Sequence, residues 1–176
     1  MSFAAPSIPT TGHWHIDTVH STAHFSLRHN SVATFRGAIQ GIKGQLDDGV
    51  LSGSVEVANL DIGLLEVFKG HVIGEAFLDA ENHPTIEFTS SDIHAHEDGF
   101  VHLHGSLTIK GVTKEIAAEG AVRGPEEVDL ADGSRGTRLG IDLTTTLDRR
   151  DYGLEVYSGA DWHVTLEIAL QLALDA

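Results

Sequence analysis

The sequence predicts an all-β protein, mainly antiparallel, built as one β-barrel of about eight strands. Three observations carry this prediction: apolar and polar residues alternate with a period of two, turns containing glycine separate the alternating segments, and glycine is abundant where proline is scarce, at 19 and 4 of 176 residues. Alternation places the apolar side chains on one face of a sheet, which must be hidden in a sandwich or in a closed barrel. The barrel is favoured because residues 100–124 form nearly one hairpin and alternation continues through 162–174.

Eight segments of the chain carry strand-like patterns. In the first, residues 21–29, Ala23, Phe25 and Leu27 share one face and polar residues occupy the other. The other clear segments are 100–110, 113–122, 138–147 and 162–174, and weaker ones fit 34–46, 50–59 and 84–95. Glycine readily adopts the positive φ of hairpin turns, and such turns are predicted at Asp47-Asp48-Gly49, Glu97-Asp98-Gly99, Lys110-Gly111 and Asp132-Gly133.

Residues 63–78 interrupt this rhythm. Leu64, Phe68 and Val72 recur at helical spacing, which predicts a helix or helical loop at one end of the barrel. Gly70 and Gly74 lower its intrinsic stability by about 1 kcal/mol each relative to alanine, so the segment suits a lid.

Charge and composition narrow the class of function. The formal net charge is −15, with 11 basic against 26 acidic residues, which argues against binding to nucleic acid or to an anionic membrane surface. The absence of cysteine excludes disulfides, thiolate metal sites and cysteine nucleophiles. Residues 1–12 read as a flexible lead-in without the features of a secretory signal, and no segment is long enough to insert into a membrane. We therefore predict a cytoplasmic protein with one domain over 13–176, and both a monomer and a homodimer stay open.

Four residues near the start of the domain invite a catalytic interpretation: Asp17, His20, Ser21 and His29. His20 and Ser21 are adjacent on a predicted strand, so their side chains should point to opposite faces. The sequence also lacks the Gly-x-Ser-x-Gly motif of a strained nucleophile turn. We expect these residues to bond backbone at strand ends, or His29 to lie as a polar group at a pocket mouth.

Twelve histidines include three pairs spaced two residues apart, and each pair shares one face of a strand. Such pairs can bind Zn²⁺, Ni²⁺ or Cu²⁺, but no third ligand lies at motif spacing, so we predict solvent-facing polar positions and no metal site. The pairs are His13 with His15, His94 with His96, and His102 with His104.

Residues 94–104 predict a particular hairpin. With a three-residue loop over 97–99 and Gly99 in the left-handed region, His94 pairs with His102, and the four histidines of the hairpin lie on one outward face. Ile86 and Phe88 have the same parity as His94 yet should face inward. A β-bulge is therefore needed, and residues 89–92 are its predicted place.

Several short motifs stand out between residues 13 and 173. The most specific is the run from Leu107 to Lys114 (Leu-Thr-Ile-Lys-Gly-Val-Thr-Lys), and the next is the segment from Asp79 to Phe88. The others are Trp14-x-Ile16-Asp17-x-x-His20-Ser21 with Phe25 and His29, Phe35-Arg36-Gly37, Val57-Ala58-Asn59-Leu60-Asp61, Ala76-Phe77-Leu78-Asp79-Ala80, Gly124-Pro125, and Leu147-Asp148-Arg149-Arg150-Asp151-Tyr152-Gly153. In this order and spacing the motifs resemble the YceI-like family of polyisoprenoid-binding proteins.

The resemblance implies a lipocalin-like eight-stranded barrel with an apolar cavity. It also implies a ligand such as an isoprenoid quinone, a polyprenyl chain or another long-chain amphiphile. Many members of the family are periplasmic, whereas this sequence looks like the cytoplasmic branch. It departs from the family at 69–72, where members often carry an Arg-Asp pair and this chain reads Lys-Gly-His-Val.

Together, the residues and the resemblance predict a non-catalytic carrier that needs no cofactor and sequesters its ligand inside the barrel. Two alternatives stay open: a metal-binding or stress-protective protein that uses its surface histidines, and an enzyme acting on a small apolar substrate. For Arg149, a place near the head group of the ligand and a local ion pair at a solvated corner are both open. The predicted ligand-binding residues are Phe25, Leu27, His29, Phe35, Ile39, Phe77, Phe88, Leu103, Leu107, Leu143, Arg149 and Trp162.

Overall fold

The strands of the protein close into a ring. The structure, a computed structural model, describes residues 5–63 and 66–176, so Met1 to Ala4 of the predicted lead-in lie outside the described residues. The strands are β1 (His13–Ile16), β2 (Thr22–His29), β3 (Ala33–Ile39), β4 (Lys43–Asp47), β5 (Val50–Glu56), β6 (Leu60–Asp61), β7 (Thr85–Ala95), β8 (Phe100–Ile109), β9 (Val112–Asp129), β10 (Arg135–Asp148) and β11 (His163–Leu174). One α-helix, α1 (Glu66–Ile73), lies between β6 and β7, and short 3₁₀ turns cover Val57–Asn59 and Arg149–Tyr152.

These strand segments make eight barrel strands, because β1 continues into β2, β3 into β4 and β5 into β6 after short interruptions. One edge of β11 pairs with β2 over Thr165–Ala169 and then with β1 over Leu172–Leu174. Hydrogen-bonded neighbours run β1-β4-β5-β7-β8-β9-β10-β11, and the pairing of β11 with β1 closes the ring. Every pairing is antiparallel, which confirms the predicted all-β, eight-stranded barrel.

The end of the barrel formed by β1 and β4, here the plugged end, is packed solid. Its side chains interdigitate as one buried cluster in which Trp14, Leu46, Leu139 and Leu172 are each at most 3% exposed. Full burial of a large aliphatic side chain contributes about 1.5–3 kcal/mol, so this cluster is a main source of stability. Ile8, from the segment before β1, packs against the same cluster.

The opposite end, here the helix end, is less complete. There β2, β3 and β6 continue the sheet from β11, and within the described chain β6 pairs with β3 alone. The segment between β6 and β7 contains α1, which confirms a helix near 63–78. Leu64 and Leu65 of that prediction lie outside the described residues. Phe68 and Val72 are four residues apart in α1 and so lie on one side of the helix, but Phe68 is 52% exposed, and no residue of the two-turn helix is fully buried. Over the described ranges, no helix has the length and apolarity needed to cross a membrane.

Candidate ligand-binding cavity

An apolar cavity of about 280 Å³ occupies the barrel between the plugged end and the helix end. Its lining extends from Ile16 and Leu51, beside the plug, to Phe77 and Tyr152 near α1. Small-molecule sites in proteins usually measure about 300–1,000 Å³ and are mainly apolar, so this cavity is slightly smaller than the lower end of that range. The inward faces of the long strands supply most of the lining, because alternate residues of a strand point to the same side.

Nine of the twelve predicted ligand-binding residues lie around the cavity. They come from five of the eight barrel strands, from the segment after α1 and from the 3₁₀ turn after β10, and all but one are apolar. They are Phe25, Leu27, Ile39, Phe77, Phe88, Leu103, Leu107, Leu143 and Arg149.

Two phenylalanine rings of the lining depend on glycines in neighbouring strands. Phe25 lies directly opposite Gly37, and a Cβ atom added to that glycine would come within 2.4 Å of the ring. The ring of Phe88 covers Gly105 in the same way, at 2.6 Å. Each glycine therefore leaves the space in which a ring lies flat against the barrel wall.

The other three predicted residues lie outside the lining. His29 ends β2 and is exposed, with its backbone bridged to Ala160. The ring of Phe35 packs on that of Phe25 at 6.2 Å, towards the rim. Trp162 precedes β11 and covers Arg149 instead of the cavity. All three residues lie near strand ends. Their position in the alternation would point their side chains inward, but at that height the strands extend beyond the cavity.

Arg149 is buried, with 3% of its surface exposed, and it acts as a clamp on the loop before β11. All five of its N–H donors point at backbone carbonyl oxygens of that loop. Nε donates to Asp161 at 3.0 Å, Nη1 to Val156 at 2.7 Å and to Leu154, and Nη2 to Tyr157 at 3.0 Å and to Ala160 at 2.9 Å.

Aromatic rings complete the surroundings of this guanidinium. Its carbon lies 4.3 Å from the centroid of the Trp162 ring and 5.8 Å from that of Phe77, both within cation–π range. Burial lowers the pKa of Arg149, while the nearby carboxylates of Asp148 and Asp161 oppose that shift. Of the two alternatives left open for Arg149, the solvated corner with a local ion pair is wrong, because the side chain is buried. Its N–H donors are already bonded to backbone carbonyl oxygens of the chain.

Arg150 takes the ion pair instead. It bonds both carboxylate oxygens of Asp148, and this hydrogen bonding lowers the pKa of Asp148 to about 2. Asp148 also accepts a bond from the backbone N–H of Arg150, which caps the short 3₁₀ turn. These contacts form an exposed structural corner.

Sequence reasoning missed Tyr152, whose side chain is 2% exposed and helps to line the cavity. Its hydroxyl has no hydrogen-bond partner among the described residues, and burial raises its pKa to about 12. The residue stood inside a recognisable motif, but a turn has no simple periodicity from which the direction of a side chain follows.

The residues of the catalytic interpretation have structural roles. The prediction that His20 and Ser21 are neighbours on one strand is wrong, because both residues lie in the interruption between β1 and β2. The Ser21 hydroxyl exchanges hydrogen bonds with the backbone of Gln171, at 3.4 and 3.0 Å, where β11 changes partner from β2 to β1. His20 bonds the carboxylate of Asp17 at 2.8 Å, and that carboxylate also accepts the backbone N–H of Val19.

The predicted histidine hairpin is confirmed. Gly99 has a φ of 85°, His94 pairs with His102, and a register shift lies between Ser90 and Asp92. The ring of His96 lies 4.8 Å from that of His94 and 5.3 Å from that of His102, on the exposed face. Throughout the described ranges, no group of three or more histidine, aspartate or glutamate side chains is placed to hold a metal ion.

A closed antiparallel barrel around an apolar cavity defines a class of fold whose interior can hold one small ligand. Residues 14–176 match the family model described as a YceI-like domain, and the chain belongs to this family. The membership predicted from the motifs is confirmed.

Three known proteins show how far the similarity extends. A UPF0312 protein of Shewanella putrefaciens is 25% identical over 180 residues, which cover 97% of this chain and 92% of the relative. BcnA of Burkholderia cenocepacia superposes with a TM-score of 0.73 at 19% identity, over 89% of this chain and 98% of that structure. A polyisoprenoid binding domain from Saccharophagus degradans gives a TM-score of 0.74 at 14% identity, over 92% and 98%. The two structural likenesses establish a shared fold.

Proposed function

We propose that this protein is a non-catalytic carrier that holds the apolar chain of an isoprenoid or another long-chain amphiphile inside its barrel. The observation that carries the proposal is the cavity of about 280 Å³, enclosed by a closed barrel and lined mainly by aliphatic and aromatic side chains. Burial of each methylene contributes about 0.8 kcal/mol, so a chain of ten or more carbons gains a useful affinity without a strong polar contact.

Two further observations support a carrier over an enzyme. The structural neighbour from Saccharophagus degradans is described as a polyisoprenoid binding domain, and the two chains share the barrel. The hydroxyl of Ser21 and the ring of His20 are bonded to Gln171 and Asp17 respectively, and not to each other. A hydrolase would need the serine hydroxyl within hydrogen-bond reach of a base.

The helix end provides the entrance in this proposal. Val72 of α1 lines the cavity, while Val67 and Phe68 are 73% and 52% exposed. The helix therefore lies between the cavity and solvent, in the segment where β6 and β7 are not paired. Its displacement would open the barrel to a long ligand, whose head group would remain near the rim.

The test is binding of farnesol, a 15-carbon isoprenoid alcohol, measured by native mass spectrometry and by titration calorimetry. We expect one farnesol per chain, and we expect Phe25→Asp to abolish binding because it places a charge in the apolar lining. Val32→Asp is the matched control, since Val32 is 80% exposed in the β2–β3 turn. Ala23→Phe fills the cavity with an apolar ring and should also abolish binding, which covers the case in which Phe25→Asp unfolds the barrel.

The same spectra discriminate the alternatives. A lipid-sized adduct on the purified chain supports the carrier. The mass of the intact assembly decides between a monomer and a homodimer. Cell fractionation tests the predicted cytoplasmic compartment. Unchanged farnesol affinity in both folded cavity variants would reject the cavity as the binding site.

A further inference from the structure

Exposed apolar side chains gather around the helix end of the barrel. Nine large hydrophobic side chains of the described chain are exposed, and five of them belong to three segments at this end. Single apolar residues are ordinary on a protein surface, whereas a group of them marks an interaction site. We call the five the apolar rim: Val32 in the β2–β3 turn, Val67 and Phe68 on α1, and Val156 and Tyr157 in the loop before β11.

Contacts between the three segments place the apolar rim around the proposed entrance. The backbone N–H of Asn30 donates to the Gly159 carbonyl oxygen at 2.7 Å, which joins the β2–β3 turn to the loop before β11. The ring of Tyr157 lies 5.5 Å from that of Phe77, which lines the cavity from the segment after α1. Val72 lines the cavity from α1 itself. The three segments therefore meet where the ligand would enter.

The loop before β11 holds its two apolar side chains in the exposed position. Tyr157 has a φ of 63°, in the left-handed region that residues with a Cβ atom seldom adopt. Arg149 keeps this backbone in place, because it donates to the carbonyl oxygens of Val156 at 2.7 Å and of Tyr157 at 3.0 Å. Strained backbone persists only where surrounding contacts hold it, and it is common at binding sites. Val156 and Tyr157 are 40% and 43% exposed, so this conformation presents them to a partner more than to the core.

The charge of the rim segments differs from that of the rest of the chain. Residues 28–36, 66–77 and 149–162 contain five basic and five acidic residues, whereas the remaining chain contains six basic and 21 acidic residues. An anionic surface repels the acidic remainder, and the balanced rim offers no cluster of cations to attract one. The partner that fits a neutral, apolar rim is therefore itself neutral. The ten charged residues are Arg28, Arg36, Lys69, Arg149 and Arg150 with Glu66, Glu75, Asp151, Glu155 and Asp161.

We propose that the apolar rim is a docking surface for a zwitterionic phospholipid bilayer. Phe68 and Tyr157 would enter the interface between head groups and acyl chains, where aromatic side chains are favoured, and the rest of the barrel would stay in water. A long-chain amphiphile dissolves in a bilayer, so docking would bring the entrance of the barrel to the source of its ligand. The purpose of docking rests on the proposed carrier function, but docking itself needs no bound ligand.

Flotation of the ligand-free full chain with phosphatidylcholine vesicles tests the docking surface. We expect the chain to float with the vesicles, and its partition coefficient to fall roughly tenfold or more in Val67→Ser combined with Phe68→Ser, because both lose apolar area that the interface would bury. Tyr157→Asn tests the loop separately, since asparagine tolerates the left-handed region, and should lower the coefficient roughly threefold or more. The matched control, Val19→Ser with Val50→Ser, removes two side chains that are 83% and 46% exposed away from the rim and should change nothing.

Two further measurements examine the contact itself. Phe68→Trp should give fluorescence emission that moves to shorter wavelength when vesicles are added, relative to the unsubstituted chain, because the indole leaves water for the interface. Replacement of part of the phosphatidylcholine by phosphatidylserine should weaken partitioning at low ionic strength, because the chain carries a net charge of −15.

Farnesol affinity measured without vesicles separates this proposal from the carrier function. Val67→Ser with Phe68→Ser should keep that affinity, because neither side chain lines the cavity. Vesicle binding by a chain that binds no farnesol would reject the carrier and retain the docking surface. The docking proposal is overturned if the folded chain does not partition into phosphatidylcholine vesicles, or if the rim variants and the control lose partitioning equally. Tyr157→Asn and Phe68→Trp keep the test decisive if the double serine variant unfolds.

Discussion

Replacement of Arg149 tests whether this residue is a structural clamp. Arg149→Met removes the donors of five hydrogen bonds to loop carbonyls. A buried polar group left without a partner costs about 1–3 kcal/mol, so even two carbonyls that remain buried cost roughly 2–6 kcal/mol. A lysine has at most three donors and leaves at least two carbonyls unpaired. We expect losses in the free energy of unfolding of roughly 4 kcal/mol for Arg149→Met and roughly 2 kcal/mol for Arg149→Lys.

The assay is urea denaturation followed by circular dichroism, with farnesol affinity measured in parallel. Arg150→Met is the control, because Arg150 forms an exposed ion pair and should change stability little. A clamp predicts a graded loss of stability and unchanged affinity in whichever variants stay folded. A loss below about 1 kcal/mol for Arg149→Met would show that the clamp argument is wrong. A folded Arg149→Lys variant with strongly reduced farnesol affinity would show that Arg149 contributes to ligand binding.

Three further outcomes are expected. Hydrogen exchange should be faster in α1 than in β11, since no residue of the helix is fully buried; equal protection would remove the lid. Gly105→Ala should lower the free energy of unfolding by about 1–3 kcal/mol, because its Cβ would meet Phe88 and the Thr89 carbonyl oxygen, whereas Gly140→Ala, with no atom nearer than 3.9 Å, should not. His94→Gln with His102→Gln should leave farnesol binding intact, and a loss of binding in this folded variant would contradict the outward assignment of the hairpin.

Period-two alternation predicted the lining best in the middle of long strands. Leu103, Leu107 and Leu143 lie within alternating runs whose inward positions are apolar except at Gly105 and Thr145, so a single assignment of faces orients all three leucines. Alternation did not place His29 and Phe35 correctly. It predicts whether a side chain points inward or outward, but not where along the barrel axis the cavity ends. The turn sequence was equally informative. Gly99 in the left-handed region determined the register of the histidine hairpin, and that register required the β-bulge.

Contacts between residues far apart in the sequence could not be predicted in this way. The carbonyl oxygens around Arg149 belong to an irregular loop whose path no residue pattern describes. The side chain of His13 in β1 contacts Asp47 at the end of β4 and Asp175 after β11. These contacts follow from the closure of the ring, and the sequence alone does not show which strands meet there.

The two ends of the barrel differ in stability, because strand pairing is complete at the plugged end and incomplete at the helix end. At the plugged end, β1 is hydrogen-bonded to β4 on one side and to β11 on the other, and its inward residues are buried. At the helix end, β6 contains two residues, and α1 has no fully buried side chain. Opening the helix end breaks few buried contacts, whereas opening the plugged end would break the core. In the proposed carrier, a ligand would therefore enter beside α1 while the plugged end of the barrel stays folded.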